Sequence, residues 1–441
     1  MKKIGMFLLV LFLFSSCRGR QDRLNLLIIT IDALRADHMS LYGYSRRTSP
    51  NLDEFSRRAR VFENAFCTIP KTSASLASML TGLHPSVLKI KPNLGTLRKG
   101  FLTLAEALKE KGYTTGASVF NGNLDRAFGF AQGFDFYDEV WKRDSRKELS
   151  ADLITRTAVK FLRENADHSF FLWLHYIDPH APYQPQEKWV EETSGGMDIR
   201  EVNPRIVVGE GEWVDLEGHP HLGYYVARYD GEIRKADYYV GKVLEELKGL
   251  GLLNKTMVII SADHGEELGE HNLFFDHGPL PFNSSVRIPL ILYLPGEKPG
   301  RIKDAVSLMD VVPTVAEVLN LQFPYSLTGS SLLHPQPGRR LLILGLMGHA
   351  VVDFPEKMNF ISERGRQYLG LGSYYLYDVK EDPLEHHPLP LTSLKISRFT
   401  HLRDWFLGKY IKQSKKFRGH RGQGKISRKT MENLKSLGYV K

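Results

Sequence analysis

Six side chains able to ligate a metal or move a proton follow apolar runs of the chain: Asp32 after "LNLLIITI" (24–31), His175, Asp178 and His180 after "SFFLWL" (169–174), and Asp263 and His264 after "TMVIISA" (256–262). Carboxylates mixed with neutral imidazoles suit a divalent cation of intermediate hardness, Mn²⁺ or Zn²⁺, whereas all-oxygen sets favour Ca²⁺ or Mg²⁺. Such a cation lowers the pKa of a bound hydroxyl and neutralises an anionic ester, so hydrolysis of a charged ester is the chemistry to expect. Taken singly, each of these residues reads as a cap or surface group. Their coincidence at three run ends points to a site.

The runs themselves predict the elements that position it. Residues 24–31, 169–177, 256–262, "IPLILYLP" (288–295) and "LLILGL" (341–346) are almost continuously apolar, which predicts strands covered on both faces and an α/β fold with a largely parallel sheet. Helical patterns lie between them at 102–112 and 236–251. In such sheets, functional groups gather beyond the carboxyl ends of the strands. After about residue 335 the chain breaks into short segments, predicting a small C-terminal α+β subdomain (336–441) with a hairpin turning at "KEDP" and a terminal helix.

With 441 residues, 42% of them hydrophobic, the chain can bury a large core, and a main domain over 17–335 is expected. The start, "MKKIGMFLLVLFLFSSC", sets two lysines before an apolar run from Ile4 to Phe14 and then small residues. That is the pattern of a signal peptide, 1–16, and its end resembles a bacterial lipoprotein box with Cys17 as the lipidated residue. The run falls short of the roughly 20 residues of a transmembrane helix. Export to the bacterial cell envelope, with a lipid anchor at Cys17, is the expectation. Cys67 would remain as a single thiol, so no internal disulfide is expected.

The formal charge of +9 equals the nine basic residues between Lys409 and Lys429, a stretch without an acid. A solvated segment is its plain reading; attraction of 409–429 to anionic lipid or a polyanionic substrate is the functional one. Nucleic acid is not expected as a partner of an exported protein.

Longer motifs carry a resemblance. "NLLIITIDALRADHMSLYGYSRRTSPNLDEF", "TSASLASMLTGLHP", "FFLWLHYIDPHAPY", "SADHGEELGEHNLFFDHG", "SVRIPLILYLPG", "SLMDVVPTVAEVL", "YLYDVKEDPLE" and the ending "NLKSLGYV" resemble, in order, the signatures of the sulfatase family within the alkaline phosphatase superfamily. The resemblance implies an alkaline-phosphatase-like α/β/α sandwich with a small C-terminal domain. It also implies one divalent metal beside a nucleophile that attacks the sulfur or phosphorus of an anionic ester and forms a covalent intermediate.

Carried over position by position, Asp32, Asp263 and His264 match metal ligands. Where many members have a second Asp, this chain has Ala33, and His264 stands where some carry Asn. The exchange of an oxygen for a nitrogen favours Mn²⁺ or Zn²⁺, with Ca²⁺ still compatible. His180 matches the histidine that contacts the ester and serves as general acid, and His277 falls where a further catalytic or substrate-contacting group is supplied. Lys71 and His175 are expected near the anion. Asn121 and Asn123 stand where the family often has a Lys and a His that grip sulfate; both also read as turn residues. A second metal held by Asp178, His180 and His277 is a further alternative.

The family nucleophile is a formylglycine made from Cys or Ser in C/S-x-P-x-R, nine residues before the Thr of a "TG" pair. Counting back from Thr81 reaches Thr72, followed by Ala74 and Leu76 in place of Pro and Arg. No formylglycine is therefore expected. Thr72 is expected to be both attacker and metal ligand, as the threonine is in phosphoester-cleaving relatives, with Ser73 as its nearest competitor. Cys67 is out of register and reads as a buried small side chain. A threonine ester must be released by water, which suits phosphorus better than sulfur. Two other functions stay open: a phosphoalcohol transferase acting on envelope glycans, and a non-catalytic lipoprotein that binds anionic glycans.

Overall fold

The computed structural model describes residues 23–193, 202, 214–417, 426–437 and 439. The leader, Cys17, residues 418–425 of the basic stretch and most of the connection 194–213 lie outside the described residues. Among the described residues, no helix is long and apolar enough to cross a membrane.

The main sheet is built from β1 (Asn25–Ile31), β2 (Arg60–Phe66), β3 (Thr114–Val119), β4 (Phe136–Glu139), β5 (Phe170–Tyr176) and β6 (Thr256–Ala262). A short hairpin, β7 (Glu267–Leu268) with β8 (Phe274–Asp276), precedes β9 (Arg287–Ile288), β10 (Leu290–Tyr293) and β11 (Gly300–Ser307), which complete the sheet. The order is β11-β2-β10-β6-β1-β5-β3-β4, with β9 beside β2. Strands β1, β5 and β6 sit at the centre, buried along their whole length, which is why their runs do not alternate. Strand β10 breaks the parallel pattern, running antiparallel to β6 and β2.

Two expectations are corrected. The run 341–346 does not join the main sheet: β12 (Arg340–Leu344), β13 (Gly348–Asp353), β14 (Glu356–Ile361) and β15 (Tyr374–Asp378) form a separate antiparallel sheet. Continuous apolarity reports burial, and this sheet is buried too. No hairpin turns at "KEDP" either, because β15 pairs back to β14 and the chain beyond it runs without a strand to the helix Ser393–Ser414.

That helix lays Phe399, Phe406 and Tyr410 on the core and leaves Lys409, Lys412 and Lys415 exposed. His84, just past the Thr81–Gly82 pair, ties that loop to the small sheet and to this helix: its ring stacks on Tyr410 at 4.3 Å and its Nε2 meets the Leu342 carbonyl at 3.1 Å. The last helix, Arg428–Ser436, packs not on the small sheet but on the 121–125 loop, where Gly122 N–H donates to Asn433 Oδ1 at 2.7 Å.

Candidate active site

Register alone brings the first two carboxylates together. Ile31 at the end of β1 pairs with Ala262 at the end of β6, so the next residues, Asp32 and Asp263, leave adjacent strands at the same level. His264 follows at once. Its Nδ1–H donates to the Gly265 carbonyl at 2.9 Å, which leaves Nε2 as a lone pair. That lone pair lies 3.2 Å from Asp263 Oδ2 and 3.6 Å from Asp32 Oδ1. Both of those oxygens are buried without a hydrogen-bond partner.

The same centre receives the helix Thr72–Thr81 end-on. Ser75 Oγ donates to the Asp263 carbonyl at 2.6 Å, and Thr72, the first helical residue, sets its Oγ1 3.2 Å from His264 Nε2. Ser73 Oγ turns away and meets the Asn123 side chain at 3.3 Å. Cys67, at the end of β2, is buried against the Ser285 carbonyl at 3.9 Å, and burial pushes its thiol well above the usual range.

Electrostatics show what the cluster suits. Burial alone would raise Asp32, but His180, His175 and His264 hold its carboxyl below the usual range. Asp263 is pushed well above that range, first by burial and then by the charge of Asp32. Burial drives His264 down to about 3 and lowers His180 and His277 as well. Two crowded carboxylates and a neutral lone pair, with unpartnered oxygens facing inward, fit a divalent cation. Among the described residues, Asp32, Asp263 and His264 are the group of metal-type side chains whose ligand atoms all lie within 4.8 Å of one another. The alternative second metal finds no support there, since Asp178 Oδ1 accepts from Lys235 Nζ at 2.8 Å and its other oxygen from Ser150 at 3.1 Å.

The remaining expected residues surround this centre. Asn121 Nδ2 donates to Asp32 Oδ2 at 2.6 Å, while Asn123 takes Ser73 and Leu94 N–H and leaves its Nδ2 buried without a partner. His277 stacks on His264 at 4.0 Å, its Nδ1 3.3 Å from Glu266 and its Nε2 buried without a partner. His180 lies against His277 at 5.2 Å, and its Nδ1–H donates to the Ala181 carbonyl at 2.6 Å. Lys71 reaches Asp276 at 3.7 Å. Its stem passes so close to Gly278 (φ +107°) that a Cβ there would lie 2.3 Å from Cε, so only glycine fits.

His175 differs from its expected role. Its Nε2 meets Asp32 Oδ2 at 3.2 Å and its Nδ1 meets Thr30 Oγ1 at 2.8 Å. With both nitrogens committed and no exposed surface, it stands behind Asp32 and orients that carboxylate instead of touching an ester.

Tyr439 is the residue that the sequence reading missed. Its hydroxyl lies 2.8 Å from His180 Nε2, 3.2 Å from Thr72 Oγ1 and 3.2 Å from Asn121 Nδ2. The one signal for it was the ending "NLKSLGYV", which carries no chemistry of its own.

Residues 24–321 match the family model described as Sulfatase. Relatives include an arylsulfatase of Clostridium perfringens, 25% identical over 82% of this chain and 89% of that protein. A choline-sulfatase of Rhizobium meliloti is 26% identical over 82% and 81%, and a multifunctional alkaline phosphatase superfamily protein of Trinickia caryophylli is 26% identical over 70% and 76%. Among solved structures, the phosphonate monoester hydrolase of Agrobacterium radiobacter shares the fold with a TM-score of 0.71 at 18% identity, covering 90% of this chain and 96% of that one.

Proposed function

Because this chain belongs to the sulfatase family and is an ester hydrolase of that family, we propose that it cleaves phosphoric esters, diesters or monoesters, with unmodified Thr72 as nucleophile. The observation that carries this is the 3.2 Å approach of Thr72 Oγ1 to His264 Nε2, at a position where the family's formylglycine signal is missing.

Asp32, Asp263 and His264, with Thr72, would hold one divalent cation, Mn²⁺ or Zn²⁺ in preference to Ca²⁺. Bound there, it would acidify the attacking hydroxyl and neutralise the ester's charge. Thr72 Oγ1 forms a bond to phosphorus as the bond to the leaving oxygen breaks. The proton lost by Thr72 passes to water, and His180, held by its Nδ1–H on the Ala181 carbonyl, acts through Nε2 as the general acid, delivering a proton taken up from water to the leaving oxygen. Water then cleaves the phosphothreonine. His277, Lys71, Asn121 and Asn123 would carry the remaining oxygens. The reading includes a place in the cell envelope, resting on the leader and Cys17, and contact of 409–429 with anionic lipid.

A panel of nitrophenyl phosphate, phosphodiester, phosphonate and sulfate esters with added metals tests the reading, with Thr72→Ala as control. Phosphoester cleavage lost in Thr72→Ala is expected. Preferred cleavage of sulfate, or hydrolysis that survives Thr72→Ala, would overturn it.

A further inference from the structure

Three groups proposed to bind the ester already share one ligand. His180 Nδ1–H is spent on Ala181, so Nε2 accepts and the Tyr439 hydroxyl donates to it at 2.8 Å. The phenol oxygen then has lone pairs for Asn121 Nδ2–H and for the Thr72 hydroxyl, each at 3.2 Å. An ester's phosphorus must come within about 3–3.5 Å of Thr72 Oγ1 to be attacked. That space is held by Tyr439.

The tyrosine is not there by chance of a loose tail. Asn433 accepts from Gly122 N–H at 2.7 Å, Thr430 bonds Asp125, and Lys429 Nζ donates to the Lys142 carbonyl at 2.6 Å. Leu434 is buried, and Tyr439 N–H donates back to its carbonyl at 2.9 Å. Gly122 is the neighbour of Asn121, so the helix docks on the same loop that supplies one of the three contacts. Its hold is mostly polar, with Leu434 and Leu437 as its buried apolar side chains, the profile of an element that opens more readily than a core helix.

We propose that Tyr439 is a self-ligand of the active site: the docked segment 426–437 places the Tyr439 phenolic hydroxyl on Thr72, Asn121 and His180, and an oxyanionic ester enters by displacing it. The proposal rests on those three residues forming the ester seat, as read above. It makes Tyr439 a determinant of which esters gain entry, since a substrate has to outcompete three hydrogen bonds held in the same chain.

Orthovanadate, a tetrahedral oxyanion, is the probe. It is titrated calorimetrically into the full chain with Mn²⁺ supplied, as wild type, Tyr439→Phe and Tyr439→Ala. Both variants are expected to bind vanadate more tightly, Tyr439→Ala by about tenfold. In the wild type, vanadate is expected to speed amide hydrogen exchange across 428–437. Equal or weaker binding by both variants, no vanadate binding at all, or exchange that vanadate leaves unchanged would overturn the proposal. Failure to cleave any nitrophenyl ester while vanadate still competes with Tyr439 would defeat the catalytic reading alone.

Discussion

His264 presents a lone pair to Thr72 because its other nitrogen is occupied: Nδ1–H on the Gly265 carbonyl at 2.9 Å leaves Nε2 facing Thr72 Oγ1 at 3.2 Å. The relationship is set by backbone, since Gly265 also approaches the Ser284 carbonyl too closely for any Cβ, which would lie 2.1 Å from that oxygen. A metal-type imidazole and the proposed nucleophile are thus held side by side by the chain's own backbone.

His264→Ala and Asp263→Asn are therefore expected to lose the bound cation. Elemental analysis after dialysis should give one equivalent per chain in the wild type and a small fraction of it in either variant. Equal metal content in all three proteins would remove these residues from the ligand set.

His175 acts through Asp32, and its substitution should be felt as metal affinity. His175→Phe removes the hydrogen bond to Asp32 and should weaken cation binding by about 10- to 100-fold, the usual effect of an outer partner of a ligand. Raising the metal concentration should restore kcat in this variant. An unchanged metal titration, with KM for the ester raised instead, would return His175 to the substrate contacts.

Ser73 and Thr72 separate cleanly. Ser73 Oγ makes only weak contacts to Asn123, at 3.3 and 3.4 Å, worth about 1 kcal/mol, so Ser73→Ala should hold kcat within about fivefold. Thr72→Ala should lower it by at least about 10³-fold, the scale of nucleophile loss. The reverse ranking in a kcat comparison would shift the nucleophile by one residue.

What was legible beforehand followed from burial. Strands β1, β5 and β6 are covered on both faces, so their side chains form unbroken apolar runs, and the site residues at their ends could be found. β2 and β3, "RVFENAF" and "TTGASV", mix polar and small residues and give no such run. The run of β12 reports a buried strand but not which sheet it joins. Asp263 and Asp32 are neighbours only through the β1–β6 register, which no single apolar run encodes; the family motifs marked both as ligands without it. Tyr439 lies 367 positions from Thr72, and no local pattern encodes a contact that depends on how the last helix docks.

Arg339 and Asp310 hold the join between the two sheets. Asp310 is fully buried, caps Ser307 N–H at 2.8 Å and receives both guanidinium nitrogens of Arg339, one at 2.7 Å. Arg339→Ala would strand a buried charge, at a cost of about 3–5 kcal/mol. Urea unfolding should show that loss; a change below about 1 kcal/mol would mean that water replaces the guanidinium.

His84 predicts a pH dependence of stability. Burial drives its pKa from 6.5 down to about 3, so the folded state binds its proton less readily than the unfolded chain does. The penalty is absent above pH 6.5 and grows as pH falls from there toward 3. At pH 5.5 it amounts to about 1.4 kcal/mol from this residue. His84→Gln keeps an amide donor for the Leu342 carbonyl, which His84 Nε2 now meets at 3.1 Å, but does not titrate. Denaturant melts at pH 7.5 and 5.5 should therefore show a smaller acid loss in His84→Gln than in the wild type by about that amount; equal losses would mean that His84 gains a proton without disturbing the fold.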